Sequence, residues 1–503
     1  SGRTKGAKGG ARACSSSGRM THHGTSVNRR VRTGLRTRDA FTAKGFSRDA
    51  CSGRTHVLDQ STKERWRALP GNDGPPLLGH AVAFFGDPLR FARERHAQFG
   101  EVSRLTFFGK PGALLIGPEA NQVVTKDDAR IFSSVLAYEP FMKDFFPGTL
   151  GVKDFDDHAR HRRILQSAFH RKSLVSYLET LNPLAAEQVA SLPAGRVFRF
   201  FPRVKDLLLE QAARLFMGQS LDERSRALGK EFIALVAGSA STFRVNFPGT
   251  TFRRGLIAKD RLWSFLNEQL PARRASLTAD LFSHVAHAES EDGERLTDEE
   301  VVGHMLGLMS AAHDTNASAM TSMVYALARF PEVQERLRAE CLASGDTAPD
   351  FDGLKTLTYS TNVFRETLRL WGPSHSLPRV SLKSFSFAGH EVPEQTMVFV
   401  SPSCTHRLAA HWKDPDTFDP DRFAAPREEQ KAHRYLFMPF GGGAHGCLGI
   451  ILAEMQAKVF FWHLLRRYRI TLAKPGSDYA LAYAPMPMPK DGLRVVLTPL
   501  AAS

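Results

Sequence analysis

Cys447 lies in the run Phe440-Gly441-Gly442-Gly443-Ala444-His445-Gly446-Cys447-Leu448-Gly449. The glycines let this backbone turn tightly and visit positive φ. The stretch 450–467 that follows is amphipathic and built from good helix formers, so the cysteine stands where a helix begins. Free N–H groups and the positive end of the helix dipole favour an anion there. A thiolate so placed can hold a metal or attack an electrophile. Hydrolase chemistry would need a base, and His445 is only two residues away. A buried structural cysteine is the plainer alternative.

Asp314 and Thr315 form the second chemically suggestive group. They follow the small pair Ala311-Ala312 inside a run, 305–323, that is apolar on nearly every side. A carboxyl and a hydroxyl in such a run are costly unless partnered. Either the threonine bonds back to its own helix and the aspartate pairs in the core, or the two form a proton relay beside a reaction centre.

The elements that must position these groups are mostly helical. The longest helix spans 297–330, capped by Thr297 with Glu300 three residues on, and stopped by Pro331. Its apolar girth predicts a course through the interior. Helical periodicity dominates from 157 to 343. Two short strands joined by a turn are expected at 102–116, and further short strands at 379–402 and 480–498. The fold expected is mainly α with small β-sheets, and no repeat period is present.

Composition excludes several classes. The 503 residues are 42% hydrophobic and 24% charged, which excludes collagen-like and wholly disordered chains. The five cysteines form no CxxC pair, which argues against a disulfide scaffold or structural zinc. No run of about 18 apolar residues is present, so no transmembrane anchor is expected. The net charge of +15 is concentrated at the start, where residues 1–60 hold thirteen Lys/Arg against three Asp/Glu. This Ser/Gly/Arg-rich leader is expected to be disordered. It reads as an organelle-targeting segment or as upstream sequence foreign to the mature protein. A nucleic-acid tail is a further reading, without the aromatic interleaving or helical stripe that would support it.

The FxxGxHxCxG pattern from Phe440 to Gly449 resembles the haem-binding loop of the cytochrome P-450 monooxygenases. Other pieces follow the family's order. Glu366-Thr367-Leu368-Arg369 is similar to its ExxR helix, and Asp419-Pro420-Asp421-Arg422-Phe423 to the segment whose arginine joins that pair. Ala311-Ala312-His313-Asp314-Thr315-Asn316 resembles its oxygen-activation helix, and His158-Ala159-Arg160-His161-Arg162 the helix that meets the haem carboxylates. The resemblance covers roughly 66–500 and implies the cytochrome P-450 fold, as one catalytic domain over 61–503. Two positions depart from the pattern: Ala312 stands where glycine is usual, and Asn316 where a second Thr/Ser is usual.

The resemblance implies haem b with the Cys447 thiolate as axial ligand, the electron-rich ligation that favours O–O cleavage. It implies that Phe440, Gly441, Gly449 and Ala311 border the haem and that His158, Arg162, Arg379 and His445 meet its propionates. Glu366, Arg369 and Arg422 become a buried ion network, and Asp314 and Thr315 the proton-delivering pair. The reaction expected is insertion of one oxygen atom of O2 into a small apolar substrate. Electrons come from NAD(P)H through a separate ferredoxin- or flavodoxin-type donor and its reductase, docking at Arg160 and Arg163. A soluble, cytoplasmic monomer is expected, with organelle targeting by the leader left open. The stretch 247–256 is similar to a segment of the retinoid, sterol and plant-steroid hydroxylase branch, which points to a terpenoid or steroid, with a fatty acid as a further option. Residues 138–145, 243–252, 308–312, 374–377 and 484–488 are the expected pocket lining. The alternatives are a haem-thiolate peroxygenase or hydroperoxide isomerase, and a non-catalytic haem sensor or basic nucleic-acid-binding protein.

Overall fold

Thr297 accepts the backbone N–H of Glu300, and the Glu300 carboxylate bonds back to the Thr297 N–H, so the capping box of the long helix forms as the sequence predicts. A computed structural model describes residues 59–218, 223–241, 243–483 and 486–500, which belong to one unit, Leu58–Ser503. The predicted leader, 1–60, thus lies almost wholly outside the described residues, as do 484–485 of the expected pocket lining. The central helix runs Asp298–Arg329, about 48 Å at 1.5 Å per residue.

Phe200–Met217, Thr251–Ala275 and Thr358–Trp371 make its most extensive helix packing. Together with Arg171–Ala190 and the helix after the cysteine loop, Ile450–Arg467, they enclose the largest apolar core, centred on residues such as Leu306, Met320, Val363 and Phe460. The central helix is buried over 301–306 and 316–327, but between them only His313 is, and Ala311 is exposed. Its open middle and closed ends define where chemistry has room.

The small sheets flank this helical body. Val102–Phe107 and Lys110–Leu115 form the predicted hairpin, with Phe108 and Gly109 both at positive φ in its two-residue turn. The second strand pairs in parallel with Met397–Val400, which pairs antiparallel with Leu377–Ser381, and Phe132–Ser133 closes that edge. This sheet places Arg379 opposite Val398. A second sheet sets Arg494–Pro499 between Val197–Arg199 and Tyr468–Leu472. The last two strands were not among those expected. Val197–Arg199 is only three residues long inside a helical stretch, and Tyr468–Leu472 directly continues a strong helical pattern.

Candidate active site

The cysteine loop is closed by its own backbone. Cys447 N–H donates to Phe440 O at 2.9 Å, and Gly446 N–H to Gly443 O at 3.1 Å. Gly443 has φ +61, and a Cβ there would meet Thr125 O of the helix Pro118–Lys126 at 1.7 Å. Only glycine lets the loop lie this close to that helix. Gly441 also has positive φ, +68, but open room around it.

Three cysteines fall among the described residues, and they differ in kind. Cys341 and Cys404 are buried, and burial pushes each thiol up to about 12. Cys447 is exposed, yet protein surrounds its sulfur closely enough that desolvation raises its pKa too. A hydrogen bond from the Gly449 N–H and the Arg162 charge oppose that rise. The expected aid from a helix terminus is weaker than the sequence suggested, because the helix begins three residues later, at Ile450. A cation on the sulfur would supply what these groups do not, since a coordinating thiol is deprotonated outright.

The four predicted cationic residues converge on this loop. Arg162, on the helix Phe155–Gln166, donates Nη1 to Gly446 O at 2.6 Å. His158, one turn before it, lies with its ring 3.9 Å from that of His445. Burial first, then the Arg162 and Arg379 charges, hold His158 at about 4; burial, then Arg379, His158 and Arg162, hold His445 at about 3. Arg379 is buried and meets the Tyr138 phenol and Pro378 O. Neither Arg162 nor Arg379 has a carboxylate within ion-pair distance among the described residues. One of these guanidinium charges, Arg162, acts on the accessible thiol, and the other, Arg379, on His445 in the same loop. That donor set fits a thiolate-ligated haem, whose iron would take the sulfur and whose two carboxylates would take the arginines.

Glu366, Arg369 and Arg422 are fully buried together. The Glu366 carboxylate accepts from Arg369 Nε and Nη2 at 2.7 and 2.8 Å, from Arg422 Nε at 3.0 Å and from Asp419 N–H at 2.9 Å. Each guanidinium also satisfies backbone carbonyls, Arg369 those of His406, Pro415 and Thr417.

The central-helix pair takes the plainer arrangement. Thr315 Oγ1 donates to Ala311 O at 2.6 Å, inside its own helix. Asp314 is ion-paired with Lys205 Nζ at 2.8 Å and hydrogen-bonded to His313 Nδ1 at 2.9 Å. Neither touches the cysteine loop. Asn316 provides the link, donating Nδ2 to Gln456 Oε1 at 2.6 Å on the cysteine-loop helix. Tyr138, expected as pocket lining, also meets Arg379, while Lys205, Gln456 and Thr125 are site-supporting residues that no motif marked. Their only sequence signal is a polar residue on an otherwise apolar helix face.

The expected docking and pocket residues differ in their surroundings. Arg160 is occupied by Glu300 at 3.1 Å and Glu294 at 3.7 Å, whereas Arg163 is exposed without an ion pair among the described residues. Phe145 is fully buried in the core against Phe252, so it does not line a pocket, while Phe243 and Phe247 are exposed.

The Cytochrome P450 family profile matches residues 69–480. A Mycobacterium tuberculosis protein named as a cytochrome P450 136 is 35% identical over 443 residues, 86% of this chain and 89% of its own length. A beta-amyrin 28-monooxygenase of Kalopanax septemlobus is 27% identical over 450 residues, 86% of this chain and 92% of its own. Among solved structures, the retinoic acid-bound cyanobacterial CYP120A1 superposes with a TM-score of 0.78 at 27% identity, covering 86% of this chain and 99% of that one. Motif order, loop geometry and similarity over most of the chain agree: the chain belongs to the cytochrome P450 family and is a haem monooxygenase of it.

Proposed function

We propose that this monooxygenase hydroxylates or epoxidises a bulky apolar isoprenoid, with haem held by Cys447 and its carboxylates by Arg162 and Arg379. The observation that carries the cofactor assignment is an accessible thiol in a loop met by two guanidinium groups, Arg162 beside the sulfur and Arg379 beside His445, which lack carboxylate partners among the described residues. Gly449 N–H and Arg162 temper the sulfur, and His158 and His445, neutral at pH 7, supply hydrogen bonds rather than charge. Bound haem supplies the activation of dioxygen. The isoprenoid assignment is supported by relatives whose names specify beta-amyrin and retinoic acid. Electrons are supplied from NAD(P)H by a separate iron–sulfur or flavin protein, which docks through Arg163.

The reduced, carbon-monoxide-treated protein is expected to show the red-shifted Soret band of sulfur-ligated haem, and Cys447→Ser to lose that band. Titration of the ferric protein with retinoic acid, beta-amyrin, a steroid and a fatty acid should give a water-displacement spectrum with the first two at micromolar concentration. A response confined to the fatty acid overturns the isoprenoid assignment. Arg163→Glu should slow reduction by a ferredoxin several-fold at low salt, and an unchanged rate removes the docking assignment.

A second reading, peroxide-driven turnover, is favoured by one observation. Thr315 and Asp314 are each committed to partners away from the loop, so neither stands ready to pass a proton. Product formation from hydrogen peroxide without any reductase, at a rate matching the reductase-driven one, would favour it.

A further inference from the structure

Around Thr315 the central helix is gripped from behind. His313 Nε2 meets Lys205 O at 3.0 Å, Asp314 takes Lys205 Nζ, and Asn316 takes Gln456. Thr315 alone bonds only within its own helix. The Asn316 contact opens a longer chain. Gln456 Nε2 donates to Gln211 Oε1 at 3.0 Å, and Gln211 Nε2 to Gln188 Oε1 at 2.8 Å. Gln188 Nε2 then donates to Leu207 O at 2.9 Å and Glu210 Oε2 at 3.3 Å. The four amides come from four helices, and each is at most 6% exposed.

The ends of the chain decide its direction. An amide can be turned either way unless its neighbours choose. The Leu207 carbonyl and the Glu210 carboxylate only accept, so Gln188 must give them its NH2 and turn its oxygen to Gln211. That choice forces Gln211, then Gln456, into the same sense. Asn316 is left with its donor spent and Oδ1 as its one side-chain polar atom without a protein partner among the described residues.

We infer that this amide chain makes Asn316 a positioning residue, which holds the 311–316 turn at a set distance from the cysteine-bearing helix and fixes Oδ1 as an acceptor on the turn that carries Thr315. The inference rests on the haem assignment above, because that assignment gives the turn its role. It has a counter-intuitive consequence. A threonine at 316, the residue the family pattern usually carries, is too short to reach Gln456 and leaves a buried acceptor unpaired.

The test uses haem-loaded full-length protein and two probes, imidazole and 4-phenylimidazole, titrated by their Soret shifts. The larger azole senses the room beside the central helix, the smaller one chiefly the iron. Asn316→Thr, Asn316→Ala, Gln456→Ala and Gln211→Met are expected to change the 4-phenylimidazole Kd at least fivefold in one direction and the imidazole Kd less than twofold. The Asn316→Ala/Gln456→Ala double variant should match either single. The exchange Asn316→Gln/Gln456→Asn restores an amide pair and should return the Kd to within twofold of wild type, which decides the matter if single variants fail to take up haem. The inference is overturned if Gln211→Met lowers the thermal midpoint while leaving the 4-phenylimidazole Kd unchanged, if Asn316→Thr equals wild type, or if the exchange fails to restore. No azole shift in the wild type overturns the haem assignment itself, and this inference with it.

Discussion

Burial raises the cost of ionising Asp314, yet hydrogen bonds from His313 and Lys205 and the Lys205 charge hold its carboxyl at about 2, below the ordinary 3.8. A carboxyl so held is an anion at every working pH and serves the helix rather than a proton path. The shift corresponds to about 2 kcal/mol of stability. Because the folded value is depressed, that stability is fully present above pH 4 and fades as pH falls through about 2. Asp314→Asn should therefore lower stability by about 2 kcal/mol at pH 7, with the gap to wild type closing below pH 4, measured by chemical denaturation across that range. A constant gap down to pH 2 would contradict the assignment. The residue types were legible: the motifs single out Asp314, Thr315, Cys447 and the cationic set. Their partners were not, because Lys205 lies 109 positions from Asp314 and nothing local to either announces the pair.

At the scale of elements, the cysteine loop depends on one close approach. A Gly443→Ala side chain would collide with the Thr125 carbonyl and also sit at φ +61. Overpacking and left-handed strain together cost about 2–5 kcal/mol. Gly441→Ala carries only the strain, about 1–2 kcal/mol, since nothing lies within 3.5 Å of its Cβ. Haem content per chain should thus fall sharply for Gly443→Ala and little for Gly441→Ala; equal losses would mean that the helix Pro118–Lys126 does not set the loop. The ion network below is stricter. Glu366→Gln removes the one carboxylate that two buried guanidinium groups share, at about 3–5 kcal/mol. Little soluble, haem-containing protein is expected from that variant. Element order could be read from periodicity, as the central helix and the hairpin at Val102–Leu115 demonstrate. The parallel pairing of Lys110–Leu115 with Met397–Val400 could not, because strand partners nearly 300 residues apart leave no local pattern.

For the whole molecule, the notable feature is how many histidines are buried uncharged away from the cysteine loop. Burial holds His304 and His406 at about 3, and His375 and His463 at about 4, with neighbouring charges adding to the effect. His406 shows why ionisation is resisted: its Nε2 accepts the Met438 N–H at 2.9 Å, and the Arg369 and Arg407 charges face it. His304 is bonded to His161 at 2.8 Å, with Lys153 and Arg160 opposing its protonation and Asp157 favouring it. Each of these groups protonates near 6.5 once the chain unfolds, so between that value and its folded one the unfolded state binds the extra proton. Stability is then full above pH 6.5 and falls on acidification, by on the order of 1 kcal/mol per pH unit for each such histidine. The denaturation midpoint should accordingly be flat from pH 8 to 7 and drop steeply from 6.5 to 4.5, starting above the range where carboxylates titrate. His406→Asn, which keeps a neutral polar group there, should make the slope shallower by close to one proton. An unchanged midpoint between pH 7 and 5 would mean that the interior accommodates these charges, and that the neutral histidines are not what ties the molecule's stability to pH.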